Sequence, residues 1–176
     1  MRGCANATER LEVRTLAESD RARFVQLLID PAFMVFSNGT HTLESAGDYF
    51  DHLLALNAEL AFAKQPIVVR SCDDIVGYAG VDWFELRGRR ELEFGYRLVP
   101  EARGFGYATE ASVALLKAVS VEFDGTIFAI VHPTNEASLD TANKLGFEFI
   151  EQTLIDGDLR HLFEWRASFE MRATLA

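Results

Sequence analysis

The stretch EARGFGYATEA (101–111) carries the residue types and spacing best suited to chemistry. It lies between the proline-ended run ELEFGYRLVP and the apolar run SVALLKAVSVEF. A short loop between a strand and a helix leaves backbone N–H groups unpaired, and the helix dipole attracts an anion to them. Gly104 and Gly106 would let a phosphate approach the backbone closely. Ala108 would keep the first helical turn slim, and Arg103 would add positive charge. A tight turn without a ligand explains a lone G-x-G equally well.

Apolar periodicity predicts the elements around this loop. The expected order is strand, helix, helix, a three-stranded antiparallel meander, helix, strand, helix and two final strands. That order predicts a single α/β domain at 9–170, between tails at 1–8 and 171–176. Its sheet would be mixed but mostly antiparallel, with one parallel crossover and helices on both faces. Strands are expected at 10–17, 66–70, 74–86, 89–100, 126–131, 147–154 and 159–169, and helices at 18–30, 43–63, 106–123 and 135–145.

Several short signals mark where these elements begin and end. Ser19 or Asp20 would cap the first helix, Gly125 would end the third in a left-handed conformation, and Gly146 would end the fourth. Asp156 and Gly157 predict a tight hairpin. Alternation in the strand 89–100 places Leu92, Phe94, Tyr96 and Leu98 on one face and Glu91, Glu93, Gly95 and Arg97 on the other.

Composition excludes several classes of protein. Apolar residues make up 49% of the 176 positions and the formal net charge is −10, which disfavours disorder, nucleic-acid binding and binding to an anionic membrane. No apolar run is long enough to span a bilayer, and the N-terminus lacks a signal-peptide pattern. Cys4, Cys72 and the four histidines show no disulfide or zinc spacing. We therefore expect a soluble cytoplasmic protein that holds no metal.

The glycine loop belongs to a larger pattern. Arg103-x-x-Gly106-x-Ala108 matches the R/Q-x-x-G-x-G/A signature of the GNAT family of N-acetyltransferases. LEFGYRLVPEARGFGYATEA resembles the strand-loop-helix block of the subgroup that includes ribosomal-protein N-terminal acetyltransferases. VHPTNEASLDTANKLGF, which starts about forty residues later, resembles the V-x-P-x-N-x-x-S…K-L-G-F block of that subgroup. The order of elements agrees with the family from about residue 9 to 170, and the specific part of the resemblance spans 92–147.

The resemblance implies a binding site for acetyl-coenzyme A between two neighbouring strands that splay apart. The amides around 103–108 would hold the pyrophosphate, the strand 92–99 would pair with the pantetheine arm, and Asn135 would hydrogen-bond that arm. The implied reaction needs neither a metal nor another cofactor, because the thioester is already activated. The residues implied in coenzyme A binding are Phe94, Gly95, Tyr96, Leu98, Arg103, Gly104, Phe105, Gly106, Tyr107, Ala108, Asn135 and Ser138.

Transfer of an acetyl group to an amine needs a base for the amine. By resemblance Glu93 is the leading candidate, with a pKa raised on an inward sheet face and a water as intermediary. A structural or acceptor-binding glutamate is the alternative. His132, at the end of the strand 126–131, is the rival base because imidazole titrates near neutrality. Many family members have no histidine at that position.

The transfer also needs a proton donor for the departing thiolate. Many family members use a tyrosine four residues before the final G-F, where this chain has Ala142. The ribosomal-protein subgroup has a serine three residues after the asparagine, and Ser138 stands there. Its hydroxyl would stabilise the thiolate, although a serine in a first helical turn also bonds locally. Asp140 replaces an arginine common in the subgroup, which predicts weaker coenzyme A binding. A backbone N–H between Phe94 and Tyr96 would polarise the thioester carbonyl.

The acceptor is expected between the first two helices, the hairpin near 82–90 and the hairpin near 151–161. Aromatic side chains beside carboxylates there suit a cationic amine, although each is also an ordinary core or surface residue. The acceptor is then either a peptide or protein N-terminus, slightly favoured by the subgroup, or a small primary amine. These residues are Met34, Phe36, Asp82, Trp83, Phe84 and Glu85.

Two other classes of protein were weighed. A module that senses acyl-coenzyme A without turnover fits Ala142 and Asp140, whereas Glu93, Asn135 and Ser138 favour an enzyme. A Rossmann dinucleotide protein disagrees with the element order, because the glycine loop comes late, after an antiparallel meander. The oligomeric state, including a homodimer, is not determined by the sequence.

Overall fold

One eight-stranded sheet runs through the protein in the computed structural model, which describes residues 6–167. Four α-helices cover it. The strands are β1 (Asn6–Ala7), β2 (Leu11–Val13), β3 (Gln65–Val69), β4 (Asp74–Leu86), β5 (Arg89–Leu98), β6 (Gly125–Val131), β7 (Glu148–Ile155) and β8 (Asp158–Ala167). The helices are α1 (Arg21–Ile29), α2 (Leu43–Glu59), α3 (Tyr107–Glu122) and α4 (Glu136–Lys144).

The sheet has the order β1-β2-β3-β4-β5-β6-β8-β7. Its only parallel pair is β5 with β6 among residues 6–167, and that pair is short: Leu92 aligns with Ile127, and Glu93 aligns with Phe128. Beyond Glu93 the β6-facing edge of β5 has no strand partner in the described chain. The mixed sheet with a splayed parallel pair confirms the fold class expected from the sequence.

Two hydrophobic clusters lie on opposite faces of the sheet. The larger is built with α3 and α4 and includes Phe94, Leu115 and Trp165. The smaller is built with α1 and α2, where Phe24 and Phe50 pack with Tyr78 of β4. Because side chains alternate along a strand, Tyr78 and Ala79 enter different layers. Helices therefore cover both faces, as expected.

Four local expectations differ from the structure. Helix α1 begins at Arg21, and neither Ser19 nor Asp20 caps it through a side chain. The Asp20 carboxylate instead accepts a hydrogen bond from the Ala17 amide and pairs with Arg14, 2.8 Å away. These contacts hold residues 18–20 in a 3-10 turn.

Gly125 does not adopt the left-handed conformation expected of it. It is the first residue of β6, and α3 ends through an extended residue, Phe123. A Cβ at position 125 would lie 2.8 Å from the Phe123 ring, so packing explains this glycine. Gly146 and the Asp156-Gly157 turn do have positive φ, which confirms those two signals.

Residues 60–63, expected to continue α2, leave the helix after Glu59. Ala63 bridges to Val81 of β4, and the Lys64 amide donates to the Val81 carbonyl. Pairing with the sheet overrides the apolar helical periodicity there. Strand β1 was not expected, since Asn6 and Ala7 fall in the predicted tail, where they pair with β2. Cys4 and the tail 171–176 lie outside the described residues.

Candidate active site

A cleft of about 1160 Å³ opens where β5 and β6 separate. Its walls come from β5, the end of β6, the N-terminal turns of α3 and α4, and the loop between α1 and α2. Nearly every residue that the sequence assigned to coenzyme A lines this cleft, as do Glu93 and Ser138. Phe105 alone among them does not: its side chain is 59% exposed and stacks on Tyr107.

The glycine loop forms the cradle at the start of α3. Gly104 and Gly106 have φ of +82° and +79°, values that side chains rarely adopt, and Gly106 is the N-cap of the helix. Within 4 Å of a Cβ at Gly106 lies only an atom of Arg10, at 3.6 Å. Glycine is therefore required by backbone conformation more than by crowding. The unpaired amides of the first turn lie at the N-terminus of α3, which is the end of a helix where an anion binds best.

Arg103 anchors this loop. Its Nε donates to the Leu98 carbonyl at 3.1 Å, and its Nη2 donates to the Ala32 carbonyl at 2.8 Å. Its side chain lines the cleft. Two of its donors are nevertheless committed to the backbone, so Arg103 also ties the α1–α2 loop to the end of β5.

Asn135 and Ser138 form the N-terminal turn of α4. The Asn135 side-chain oxygen accepts from the Ser138 amide at 3.2 Å, so Asn135 is the N-cap of this helix. The Ser138 hydroxyl lies 3.1 Å from the hydroxyl of Tyr96, which comes from β5. A phenol therefore enters the site from the strand, although position 142 holds alanine. Sequence reasoning assigned Tyr96 to the cofactor through its backbone and did not consider its hydroxyl.

Glu93 lies on the opposite sheet face, opposite Asp82 of β4 in the strand register. Gly95 makes room for it: a Cβ at position 95 would lie 3.2 Å from Glu93 Oε1. The buried Lys64 lies beside both carboxylates, with Nζ 3.5 Å from Glu93 Oε2 and 3.6 Å from Asp82 Oδ2. Sequence reasoning missed Lys64. The only signal was a lysine immediately before the apolar strand QPIVV.

Tyr49 and the exposed His52, both of α2, complete this cluster. The Tyr49 hydroxyl accepts from Lys64 at 3.2 Å and donates to Asp82 Oδ2 at 3.1 Å, and His52 Nε2 lies 2.8 Å from Asp82 Oδ1. Burial raises the pKa of Tyr49, which keeps its hydroxyl protonated. The pKa of Asp82 lies below its ordinary value, because Lys64 and His52 outweigh the burial that raises it.

Lys64 remains an ammonium. Burial works to lower its pKa, but the Tyr49 oxygen and the carboxylates of Glu93 and Asp82 outweigh that effect and raise it. Its position depends on Gly80, which has φ of +140°. A Cβ on Gly80 would lie 2.3 Å from the Ala63 carbonyl oxygen and 2.8 Å from the Lys64 Cα. Only glycine lets the 63–64 segment approach β4 this closely.

His132 lines the cleft beside Phe36, with ring centroids 5.8 Å apart. Its Nδ1 accepts from the Thr134 amide at 3.2 Å. The neutral ring therefore carries its proton on Nε2. Because its unprotonated nitrogen is engaged within its own turn, the geometry does not favour His132 as the base.

The residues expected at the acceptor end divide between the two faces. Met34, Phe36, Phe84 and Glu85 line the cleft. Asp82 lies beneath it in the buried cluster. Trp83 packs against the cluster of α3 and α4 and lies under the Arg90 guanidinium. Arg160 of β8 also lines the cleft, and sequence reasoning did not single it out.

Comparison with known proteins identifies the class. The acetyltransferase (GNAT) domain model matches residues 10–148, so the chain belongs to the GNAT family of acetyltransferases, which transfer acetyl groups from acetyl-coenzyme A. This family membership confirms the resemblance found in the sequence.

Solved structures share the fold. A protein from Bordetella pertussis described as a GNAT-family acetyltransferase has a TM-score of 0.78 at 20% identity, over 90% of this chain and 96% of that one. An acetyltransferase from Agrobacterium tumefaciens str. C58 has a TM-score of 0.77 at 24% identity, over 91% and 92%. The ribosomal L7/L12 alpha-N-protein acetyltransferase RimL, in complex with coenzyme A, has a TM-score of 0.75 at 15% identity, over 92% and 97%.

Within residues 6–167, no helix is long and apolar enough to cross a membrane. No group of three or more His, Cys, Asp or Glu side chains there is arranged to hold a metal ion. That the reaction needs no metal stays a prediction.

Proposed function

We propose that this protein is an N-acetyltransferase that passes the acetyl group of acetyl-coenzyme A directly to a primary amine. One observation carries the proposal: a single continuous cleft joins the cradle of α3, the unpaired edge of β5 and the Glu93 carboxylate. Its volume of about 1160 Å³ exceeds the range of about 300–1,000 Å³ usual for one small ligand. Both substrates then bind together, and transfer needs no covalent enzyme intermediate.

Coenzyme A binding uses the backbone more than side chains. The amides around Gly104, Gly106 and Tyr107 hold the pyrophosphate at the N-terminus of α3. Beyond Glu93, β5 offers N–H and C=O groups to the amides of the pantetheine arm, in the manner of an added strand. The side-chain oxygen of Asn135 caps α4, which leaves its NH2 group as the donor to that arm.

The amine is activated at Glu93. The Glu93 carboxylate is partly exposed in the cleft, and the Lys64 ammonium, 3.5 Å away, holds it in position. The amine nitrogen loses a proton to Glu93, directly or through water, and attacks the thioester carbonyl. A backbone N–H of β5 between Phe94 and Tyr96 stabilises the oxygen that becomes negative.

Departure of the thiolate completes the reaction. The carbon–sulfur bond breaks and the thiolate takes a proton, for which the hydrogen-bonded hydroxyls of Ser138 and Tyr96 are the donors. The hydroxyl pair then regains a proton from solvent, and Glu93 releases to solvent the proton that it took from the amine. This pair supplies the function that the tyrosine of other family members has, since Ala142 offers no proton. The products are the acetylated amine and free coenzyme A.

A peptide or protein N-terminus is favoured slightly over a small amine. The sequence blocks of the ribosomal-protein subgroup and the fold shared with RimL support this preference. The chain is expected to act in the cytoplasm.

Thiol release from acetyl-coenzyme A across a panel of amines tests the proposal. The panel contains peptides with free and with acetylated N-termini, polyamines, amino sugars and free amino acids. Release only with free-N-terminus peptides would establish the peptide acceptor. Release with one small amine would move the activity to that metabolite class. Tight coenzyme A binding without release from any amine would contradict catalysis and favour a sensing module.

A further inference from the structure

Arg160 is a buried cation whose hydrogen bonds are incomplete. It is 7% exposed, lies on β8 and lines the cleft. Its side-chain hydrogen bonds within residues 6–167 all use one nitrogen, Nη2, which donates to Asn38 Oδ1 and, at 3.3 Å, to Asp158 Oδ2. A guanidinium has five N–H donors. The N–H groups on Nε and Nη1 have no protein acceptor among residues 6–167.

The two unused nitrogens are not fully buried, and Arg160 lines the cleft. Side-chain atoms that are both buried and without a partner in the described chain are Gln65 Oε1 and Ser112 Oγ, and none belongs to Arg160. Its ion-pair partner within the described chain, Asp158, is 53% exposed. A charge this buried is stabilised only when it is paired and hydrogen-bonded. The N–H groups on Nε and Nη1 are thus suited to bind an anion.

Arg160 lies on the acceptor side of the sheet. Along β8, Phe163 and Trp165 enter the cluster of α3 and α4, so Arg160 and Leu162 face the layer of α1 and α2. Glu93 faces that same layer, as its contact with Lys64 shows. The cradle for the pyrophosphate belongs to α3, on the other face. An anion at Arg160 therefore belongs to the acceptor more readily than to coenzyme A.

The strand register sets the span between Arg160 and Glu93. Glu93 aligns with Phe128, which aligns with Glu164, so Arg160 lies two strands across and four residues along from Glu93. At about 4.8 Å between strands and about 3.3 Å per residue, the two Cα atoms are about 16 Å apart. Both residues line the same cleft, so one molecule that carries an amine and an anion can contact them together.

We propose that Arg160 binds a carboxylate of the acceptor, and that the preferred substrates are primary amines which also carry a carboxylate. This inference rests on the proposed function and narrows its substrate class. The carboxylate comes either from the acidic side chain of a peptide's first residue or from a free amino acid. Two parallel N–H donors of a guanidinium match the two oxygens of that group.

Matched acceptors that differ only in the carboxylate test the proposal. One pair is a peptide beginning with Asp and the same peptide beginning with Asn; the other is an amino acid and its amide. Wild type should have the lower KM for the carboxylate member of one pair, and that pair identifies the source. Arg160→Gln should raise that KM about 10-fold or more, while the neutral member and acetyl-coenzyme A keep theirs.

Control variants distinguish carboxylate binding by Arg160 from a structural effect of its replacement. Arg160→Lys keeps the positive charge without the two parallel N–H donors and should retain part of the preference for the carboxylate member. Asp158→Asn removes the protein's own carboxylate and should leave the preference intact or larger. Arg166→Gln, an exposed change on the same strand, should have no effect. Equal KM changes for both members of each pair in Arg160→Gln, or no carboxylate preference in wild type, would overturn the proposal.

A binding measurement keeps this test independent of turnover. Calorimetry on the coenzyme A-loaded protein would compare the Asp and Asn peptides and the two amino acid derivatives. Carboxylate-dependent binding that Arg160→Gln abolishes supports the site even if no thiol is released, in which case only the proposed function fails. Equal affinity for both members of each pair rejects the site.

Discussion

The ammonium of Lys64 lies 3.5 Å from the Glu93 carboxylate, and the lysine is almost entirely buried beneath the cleft. The same ammonium lies 3.6 Å from Asp82. One cation thus serves two carboxylates that are cross-strand neighbours. This relationship links the stability of the fold to the position of the proposed base.

Replacing Lys64 with methionine should destabilise the protein strongly. Breaking a buried ion pair leaves an uncompensated charge, which typically costs about 3–5 kcal/mol. Urea unfolding of Lys64→Met against wild type measures this change. The exposed Lys117→Met serves as the control and should shift the free energy of unfolding by no more than about 0.5 kcal/mol. A loss no larger than that of the control would show that the cluster contributes little to stability.

Asp82 predicts an acid-dependent loss of stability. Its pKa in the folded protein is lowered, since Lys64 and His52 outweigh the effect of burial. The stabilisation is therefore fully present above its unfolded value of about 3.9 and is lost as the pH falls through the lower folded value. The free energy of unfolding, followed from pH 6 downward, should fall less steeply in Asp82→Asn than in wild type. Asp124→Asn, an exposed change, should keep the wild-type slope; identical slopes for all three proteins would refute the assignment.

Gly106→Ala should weaken coenzyme A binding by straining the cradle. A left-handed conformation costs a residue with a side chain about 1–2 kcal/mol, and relief of that strain would move the amides that face the pyrophosphate. Isothermal titration with coenzyme A measures the affinity. Gly88 has a similar φ of +74° with open space around it in the β4–β5 hairpin. Gly88→Ala should lower the free energy of unfolding by a comparable amount and leave the affinity for coenzyme A unchanged. Equal affinities in the two variants would exclude the loop around Gly106 as the pyrophosphate site.

Glu93→Gln should lower kcat at neutral pH by about 100-fold, the smaller end of the effect of a general base. The rise of the rate with pH should also flatten. Stopped thiol assays across pH 6–9 follow both quantities, and His132→Gln should leave them nearly unchanged because its Nδ1 is engaged with Thr134. A wild-type pH profile in Glu93→Gln would exclude Glu93 as the base, and a loss in His132→Gln instead would assign that role to His132.

Ser138→Ala and Tyr96→Phe should each slow the chemical step while leaving coenzyme A affinity within a few-fold of wild type. Loss of a single donor to a developing negative charge costs about 100-fold in kcat. Because the two hydroxyls share one hydrogen bond, the double variant should lose little more than either single variant. Single-turnover rates and coenzyme A titrations separate the steps. Weakened binding at a normal rate would make the pair a binding contact.

Much of the fold was readable because it depends on local patterns. The meander 66–100, the helix after Gly106 and the hairpin at Asp156-Gly157 appear nearly where periodicity and turn residues predicted them. The errors arose where packing overrides local preference. Residues 60–63 leave the helix to pair with Val81, and Gly125 is small because the Phe123 ring occupies the space beside it.

The sequence by itself determined the family and the glycine loop at the start of α3, because both reside in contiguous motifs whose spacing is visible along the chain. Only the tertiary structure decided what surrounds Glu93. Lys64 and Tyr49 are distant from it in sequence, and their meeting depends on the register of β4 with β5 and on the close approach at Gly80. The position of Arg160 in the cleft likewise depends on the folding of β8 against β6. Long-range contacts of single charged side chains produce no periodic pattern in the sequence, so only the folded structure shows them.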